Sequence, residues 1–403
     1  MSSIGADAMP QNNKFDLAAL LKPISCAQFF DEYWEKKPLL VRRNDRDYYA
    51  ALLSLDEIDP LITVLPSDMV TLANSDEPLD IAEFARADGT LDVVKACQLF
   101  AAGATFVIQE AHKRLEKLAA FCRELERDIG APFQCNLYVT PAGGKGFDTH
   151  YDTHDVLLLQ ITGSKEWSIF DSPVRLPLSG QPYDPDLHPA GAATMSFTLH
   201  AGDFLYIPRG FLHHARSADE ISVHVTVGVL PYRWSDVMLE AIAQLCLADP
   251  AFRRALPVGL GKRDFDLASA RRIFADLLAR VSAQASPDGV LDRLANEFVV
   301  SRSALIPGQL AQALQSPHLS SADEVGARPA SIYRIQTQGD QISIKSHGRE
   351  ITLPAEAHAA LTFALENERY CVRDLPGDLD DETKIILVKR LIDEGLVWKL
   401  PGR

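Results

Sequence analysis

At 403 residues the chain has room for two or three domains, and 47% hydrophobic with 24% charged residues is the composition of a globular protein with a sizeable core. A net charge of −15 argues against a nucleic-acid binder that works by phosphate neutralisation, and suits either a basic partner or plain solubility. The six cysteines (26, 97, 122, 135, 246 and 371) are scattered without a CxxC pair, which disfavours a zinc–thiolate site or a disulfide framework and points to a reducing cytoplasm.

The opening "MSSIGADAMPQNNKFD" has no basic lead or apolar core, so it does not read as a signal peptide, and no apolar run approaches a membrane span. Residues from about 15 to 130 read as mostly helical with short extended interruptions. In "SCAQFFDEYWEKKPLLVRR", Ser25 is an N-cap candidate, Phe29, Phe30, Tyr33 and Trp34 follow at helical spacing, and Pro38 stops the helix before an extended "LLVRR". A long helix is expected across "LDVVKACQLFAAGATFVIQEAH", and another over "KRLEKLAAFCRELERDIG" ending at Gly130.

From about 132 to 232 the texture changes. "FQCNLYVTP", "HDVLLLQIT", "KEWSIFD", "MSFTLH", "GDFLYIP" and "ISVHVTVGVL" alternate with Gly, Pro, Asp and Ser clusters, the pattern of a β-sandwich or barrel. Residues 233–320 read as amphipathic helices that could pack on the barrel or form a homodimer interface, with a linker over 316–331. The stretch 321–403 runs from strand-like "SIYRIQTQGDQISIKSHGREITLP" to a helix ending at Gly395 and a short strand, the order of a winged-helix module. Its clustered Asp374, Asp378, Asp380, Asp381 and Glu382 speak against DNA reading.

The chemistry concentrates in "FDTHYDTHDVLLLQITGSKEW" (147–167). In β conformation His150 and Asp152 share a face, offering one imidazole and one carboxylate to the same point. "GDFLYIPRGFLHHARS" (202–217) can bring a further histidine, His213 or His214. Two histidines and one carboxylate on one face of a metal form the facial triad of non-haem Fe(II) oxygenases, whose open positions admit a co-substrate and O₂. Asn136 and Tyr138 alternate onto one face of their strand, as do His224 and Thr226 of theirs. His154 and Asp155 continue the first motif and read equally well as structural or as substrate-facing.

Together the two motifs resemble the JmjC-type oxygenases of the ribosomal oxygenase group, a likeness extending to "FFDEYWEKKPLLVRR" and the helical and winged-helix-like C-terminal parts. The resemblance implies an α+β chain built on a double-stranded β-helix (cupin) barrel with flanking helices: a catalytic part over 1–232 with the barrel at about 132–232, a helical segment over 233–320 and a winged-helix-like domain over 321–403. It implies Fe(II), 2-oxoglutarate and O₂ as cofactor and co-substrates, with His150, Asp152 and His213 as the iron ligands. His213, not His214, falls on the family's Pro-x-Gly-x-x-His position. Lys165 matches the position that neutralises the distal carboxylate of 2-oxoglutarate, a charge costly to bury alone. Asn136 and Tyr138 match positions beside the co-substrate. The implied activity is hydroxylation of a protein, an Arg or His of a basic ribosomal protein, in the cytoplasm, with no specific nucleic acid and no membrane. Modification of another peptide such as a natural-product precursor, or a non-catalytic ligand-sensing cupin with a winged helix, stays open as an alternative.

Overall fold

The computed structural model describes residues 15–74, 77–144 and 148–401. Most of the opening stretch read above for a signal peptide (1–14), and Phe147 of the quoted motif, lie outside the described residues. The chain divides into two compact units. One comprises 1–230, 305–331 and 362–403, and the other 231–304 and 332–361, so the stretch 321–403 is divided between them and forms no unit of its own.

The first unit begins with helices α1 (Leu17–Leu21) and α2 (Cys26–Glu32) and strand β1 (Leu39–Val41). Ser25 caps α2 by accepting from Gln28 N at 3.1 Å, as its position before the aromatic run suggests. Helix α3 (Leu55–Val64), strands β2 (Val70–Asn74) and β3 (Glu77–Pro78), helix α4 (Val93–Ala101), strand β4 (Thr105–Ile108) and helix α5 (Glu116–Ile129) follow. The expected helix over 91–112 is therefore half wrong. Gly103, at φ +115°, takes the chain out of α4, and the β-branched run "TFVI" enters a sheet whose pairing overrides local helical periodicity. Helix α5 ends where expected, with Gly130 left-handed at φ +72°.

Seven strands then follow: β5 (Phe133–Thr140), β6 (Asp155–Thr162), β7 (Ser164–Ile169), β8 (Met195–His200), β9 (Phe204–Ile207), β10 (His213–Ser217) and β11 (Ser222–Val229). Together with β1 to β4 they form two antiparallel sheets, one of eight strands in the order β1-β9-β6-β11-β5-β4-β2-β3 and one of three in the order β10-β7-β8. The larger sheet reaches beyond 132–232 because β1 to β4 extend it on both sides.

Strand β6 shows why its central run, 156–159, is apolar without a break. Val156 and Leu158 face the smaller sheet, packing with Leu205 and Ile207 against Trp167, Ile169, Leu199 and Ala215. Leu157 and Leu159 face the other way, into a core that includes Leu17, Phe29, Leu118 and Leu125 of the flanking helices. Both faces are covered, so alternation disappears. The interior between the two sheets is where the site lies.

Also in the first unit are α9 (Gln309–Gln315) and the three-stranded sheet β16-β12-β17, with β12 at Glu324–Ala327, β16 at Tyr370–Cys371 and β17 at Val397–Lys399, beside α11 (Asp381–Asp393). The linker expected over 316–331 thus contains a central strand, whose Val325 is fully buried. Four residues between polar neighbours give periodicity too little to act on. The second unit holds α6 (Trp234–Ala248), α7 (Leu267–Gln284), α8 (Pro287–Val300) and a meander of β13 (Arg334–Gln338), β14 (Gln341–Ser346) and β15 (Arg349–Pro354). Helix α10 (His358–Glu366) runs across the division. No described helix is long and apolar enough to cross a membrane.

Candidate metal centre and co-substrate pocket

His150 and Asp152 do not lie in a strand. They occupy an irregular segment just before β6, which starts at Asp155. What orients the segment is a bridge to β10, in which His213 N donates to His150 O at 2.8 Å and His150 N to His213 O at 3.2 Å. A further bond from Gly210 N to Asp152 O, 3.0 Å, ties it to the turn preceding β10. Two loops that carry ligand-type side chains are thereby laced together through their backbones.

The result is one cluster. Ligand atoms of His150, Asp152 and His213 all lie within 4.8 Å of one another. The imidazole rings of His150 and His213 are 4.6 Å apart, and His213 Nε2 is 3.7 Å from Asp152 Oδ2. Each ring is oriented from behind. His150 Nδ1 lies 2.6 Å from Asp148 O and His213 Nδ1 3.0 Å from Phe211 O. A carbonyl only accepts, so Nδ1 carries the hydrogen in both rings and Nε2 keeps its lone pair for a metal. Burial, reinforced by His150, pushes His213 down to about 4, so its ring is neutral and available at neutral pH. For Asp152, burial pushes upward, but His154, His213 and His150 together hold the carboxyl below its ordinary value.

His214 turns the other way, with its Nδ1 2.8 Å from Thr149 Oγ1 and its ring against Phe170. The His154 ring covers Gly228, where a Cβ would come within 3.0 Å of it, and stands outside the cluster. Asp155 is fully buried and bonded to Arg209 and Tyr206, so it is no ligand.

Lys165 projects from β7 on the same side as Trp167 and is 2% exposed. No carboxylate among the described residues pairs with it, and burial alone pushes its ammonium down to about 7. His224 is 3% exposed, stacked on Tyr138 at 4.6 Å and 8°, and its Nδ1 has no partner. Burial and then Lys165 hold His224 well below its ordinary value, so it is neutral. Trp167 Nε1 is likewise buried without a partner, its ring 6.2 Å from His224 and 6.0 Å from His213. Tyr138 is pushed upward by burial and then by the charge of Asp152, and Asn136 hydrogen-bonds to it. Asn136 also accepts from Glu110 N at 3.0 Å through Oδ1. Asn136 and Tyr138 pair in register with Thr226 and His224 of β11.

Buried donors without partners are rare in folded proteins, and here a cation, an imidazole and an indole gather on one side of a His/His/carboxylate cluster. That arrangement fits a divalent metal at the cluster and a small dianion reaching toward Lys165. Strand alternation put His150 with Asp152 and Asn136 with Tyr138, the resemblance pointed to His213 and Lys165, and the structure brings the His150, Asp152 and His213 ligand atoms together. Trp167, two residues after Lys165, lies on the same strand face, as alternation along β7 implies.

The turn before β10 is tightly built. A Cβ on Gly210, at φ +90°, would stand 2.4 Å from Val174 O and 2.8 Å from Ser172 Oγ. Gly210→Ala is expected to lower stability by about 2 kcal/mol or more, from left-handed strain and the clash together. Thermal melts with and without Co(II) check this, and they should also show a smaller metal-induced rise because the turn leads into His213.

Residues 108–237 match the family described as the JmjC domain. The chain is similar to bovine (Bos taurus) ribosomal oxygenase 2, 29% identical over 413 residues that span 92% of this chain and 88% of the relative. It is 28% identical over 304 residues to the bifunctional lysine-specific demethylase and histidyl-hydroxylase NO66 of Drosophila grimshawi, covering 70% of this chain but 42% of that longer protein. Among solved structures, Escherichia coli ribosomal oxygenase YcfD in complex with cobalt and 2-oxoglutarate superposes with a TM-score of 0.53 at 17% identity, over 93% of this chain and 98% of that one, a likeness of fold. The domain match spans the cluster-bearing strands, so residues 108–237 are similar to the JmjC domain and the chain as a whole is similar to the ribosomal oxygenases.

Proposed function

We propose that the protein is an Fe(II)- and 2-oxoglutarate-dependent hydroxylase acting on an Arg or His side chain of a ribosomal protein. The observation that carries this reading is the His150, Asp152 and His213 cluster beside a buried Lys165 that no carboxylate among the described residues neutralises. Iron held there would supply O₂ activation and, with 2-oxoglutarate as co-reductant, oxidation of an unactivated C–H bond.

The chain's own residues divide the remaining work. His150 and His213 present Nε2, and Asp152 contributes the charge that offsets part of the metal's. Lys165 meets the distal carboxylate of the co-substrate, with Asn136, Tyr138 and His224 along the adjoining strands. Val156, Leu158, Leu205, Ile207 and Trp167 make the surroundings apolar, which excludes water and strengthens each electrostatic contact. The charges then sum to zero. A divalent metal, the Asp152 carboxylate, a dianionic co-substrate and the Lys165 ammonium balance, the condition an apolar pocket imposes.

The substrate assignment rests on the relatives' names, and the net charge of −15 suits a basic ribosomal protein. A second copy of the chain is a further partner in this reading, supported by the exposed Trp234, Met238 and Leu239 of α6 and Phe274 and Leu278 of α7. The six unpaired cysteines support a reducing cytoplasmic setting.

Incubation with Fe(II), 2-oxoglutarate and isolated ribosomal proteins, followed by intact-mass measurement, tests the activity. The expected result is a gain of one oxygen on a single protein, absent with His150→Ala. Absence of any 2-oxoglutarate turnover across protein fractions would reject the hydroxylase in favour of a ligand-binding barrel.

A further inference from the structure

Asp155, three residues after Asp152, is completely buried at the start of β6. Its Oδ2 accepts from Arg209 Nη1 at 2.6 Å, and its Oδ1 from the Tyr206 hydroxyl at 2.8 Å and Arg209 N at 3.4 Å. Arg209, 5% exposed, also donates through Nη2 to Glu35. Glu35, held at φ +59°, donates its own N–H to the Tyr206 hydroxyl at 2.9 Å, and Trp34 beside it stacks on the Tyr206 ring at 5.7 Å and 11°. A cavity of about 340 Å³ borders Glu35, Arg209 and Phe211 on the outer side.

Stability alone does not account for this arrangement. Buried ion pairs rarely repay the desolvation of both charges, and well-packed apolar replacements are often neutral or stabilising. Both partners are raised, which favours the charge of Arg209 and disfavours that of Asp155. Arg209 is raised because Asp155 and Glu35 outweigh its burial, whereas for Asp155 burial outweighs Arg209 and holds the carboxyl above its ordinary value. The cost therefore rests on the carboxylate, the more deeply buried of the two.

What the network does is geometric. Asp155 ends the segment carrying His150 and Asp152, and Arg209 opens the turn that delivers His213 four residues later. Among the described residues those segments are tied near the cluster by the backbone bonds of the 150–213 bridge and Gly210, by the Thr149–His214 contact, and, at their far ends, by this buried ion pair. Glu35 braces the pair from outside. We propose that Asp155 and Arg209, with Glu35, are positioning residues that hold the two halves of the metal cluster in register. This rests on the metal-centre reading and assigns to it a supporting shell that touches no metal.

Co(II) titration of the full chain, read by its d–d absorption, tests the proposal, with thermal melts alongside. Arg209→Ala and Asp155→Asn are expected to weaken Co(II) binding by about 10- to 100-fold and to alter the d–d band shape, the size of effect typical of outer partners of metal ligands. Arg209→Lys keeps a cation and should recover part of the affinity. The decisive variant is the double replacement Asp155→Leu with Arg209→Met, which removes both charges and so keeps the fold even where a single variant fails to fold. It should melt near the wild-type temperature yet bind Co(II) as weakly as the single variants. Wild-type affinity and band shape in the folded double variant would overturn the positioning role. A wild-type chain whose Co(II) band is indifferent to His150→Ala would instead remove the metal centre itself, and this inference with it.

Discussion

Asp152→Asn and His150→Ala are expected to abolish the Co(II) d–d band of the cluster and to weaken metal binding by more than about 100-fold, beyond the range that outer partners of a ligand account for. Asp152 is the only carboxylate in the cluster, and its amide analogue keeps shape while removing the charge that offsets the metal's. His150 is only half-buried, so truncating it leaves no closed void and the fold should survive. Both variants should therefore melt close to the wild type without metal while losing the metal-induced rise, which mass action ties to affinity. Turnover of 2-oxoglutarate should fall to background in step. A variant that kept wild-type Co(II) affinity while remaining folded would show that the three side chains share a pocket without sharing an ion.

Sequence reasoning reached this site by a route that was partly mistaken. Strand alternation was the argument for placing His150 and Asp152 together, yet they sit ahead of the strand, oriented by the bridge to His213. The conclusion survived because an extended segment docked on a neighbour presents alternate side chains much as a strand does. His213 was separable from His214 on the resemblance, and the structure shows the physical reason: successive residues of β10 point to opposite faces.

The elements that were legible share a property. Runs such as 156–159, apolar on both faces because helices cover one side and the second sheet the other, announce themselves from composition. Those that were missed, 105–108 and 324–327, are four-residue strands, too short for a period of two to stand out against a neighbouring helix or polar loop. The partnership of Asp155 with Arg209 was invisible for a different reason. The two are 54 residues apart, and a buried carboxylate next to ligand-type neighbours looks the same on paper whether it binds metal or guanidinium.

Lys165→Met is expected to raise the 2-oxoglutarate KM by about 100-fold, the scale of losing one partner of a buried charge pair, while Co(II) affinity stays within about threefold of wild type. The pH dependence carries the sharper test. Burial holds the Lys165 ammonium down to about 7, so above that pH the ligand-free protein is mostly neutral there. A dianionic co-substrate needs the ammonium, so binding takes up a proton, and affinity should fall by about tenfold per pH unit above about 7 and level off below it. His224, the titratable neighbour of this side chain, has its own value well below the ordinary one and is neutral throughout, and Asp152 of the nearby cluster stays ionised, so neither adds a step in that window. The same proton sets the stability of the protein without ligand. Between about 7 and the ordinary lysine value the unfolded chain binds a proton that the fold excludes, so stability rises with pH across that interval, and Lys165→Met should flatten the rise. A methionine variant that kept the wild-type slope of KM against pH would place the titrating cation elsewhere. One that lost metal and co-substrate together would mean that Lys165 supports the cluster itself.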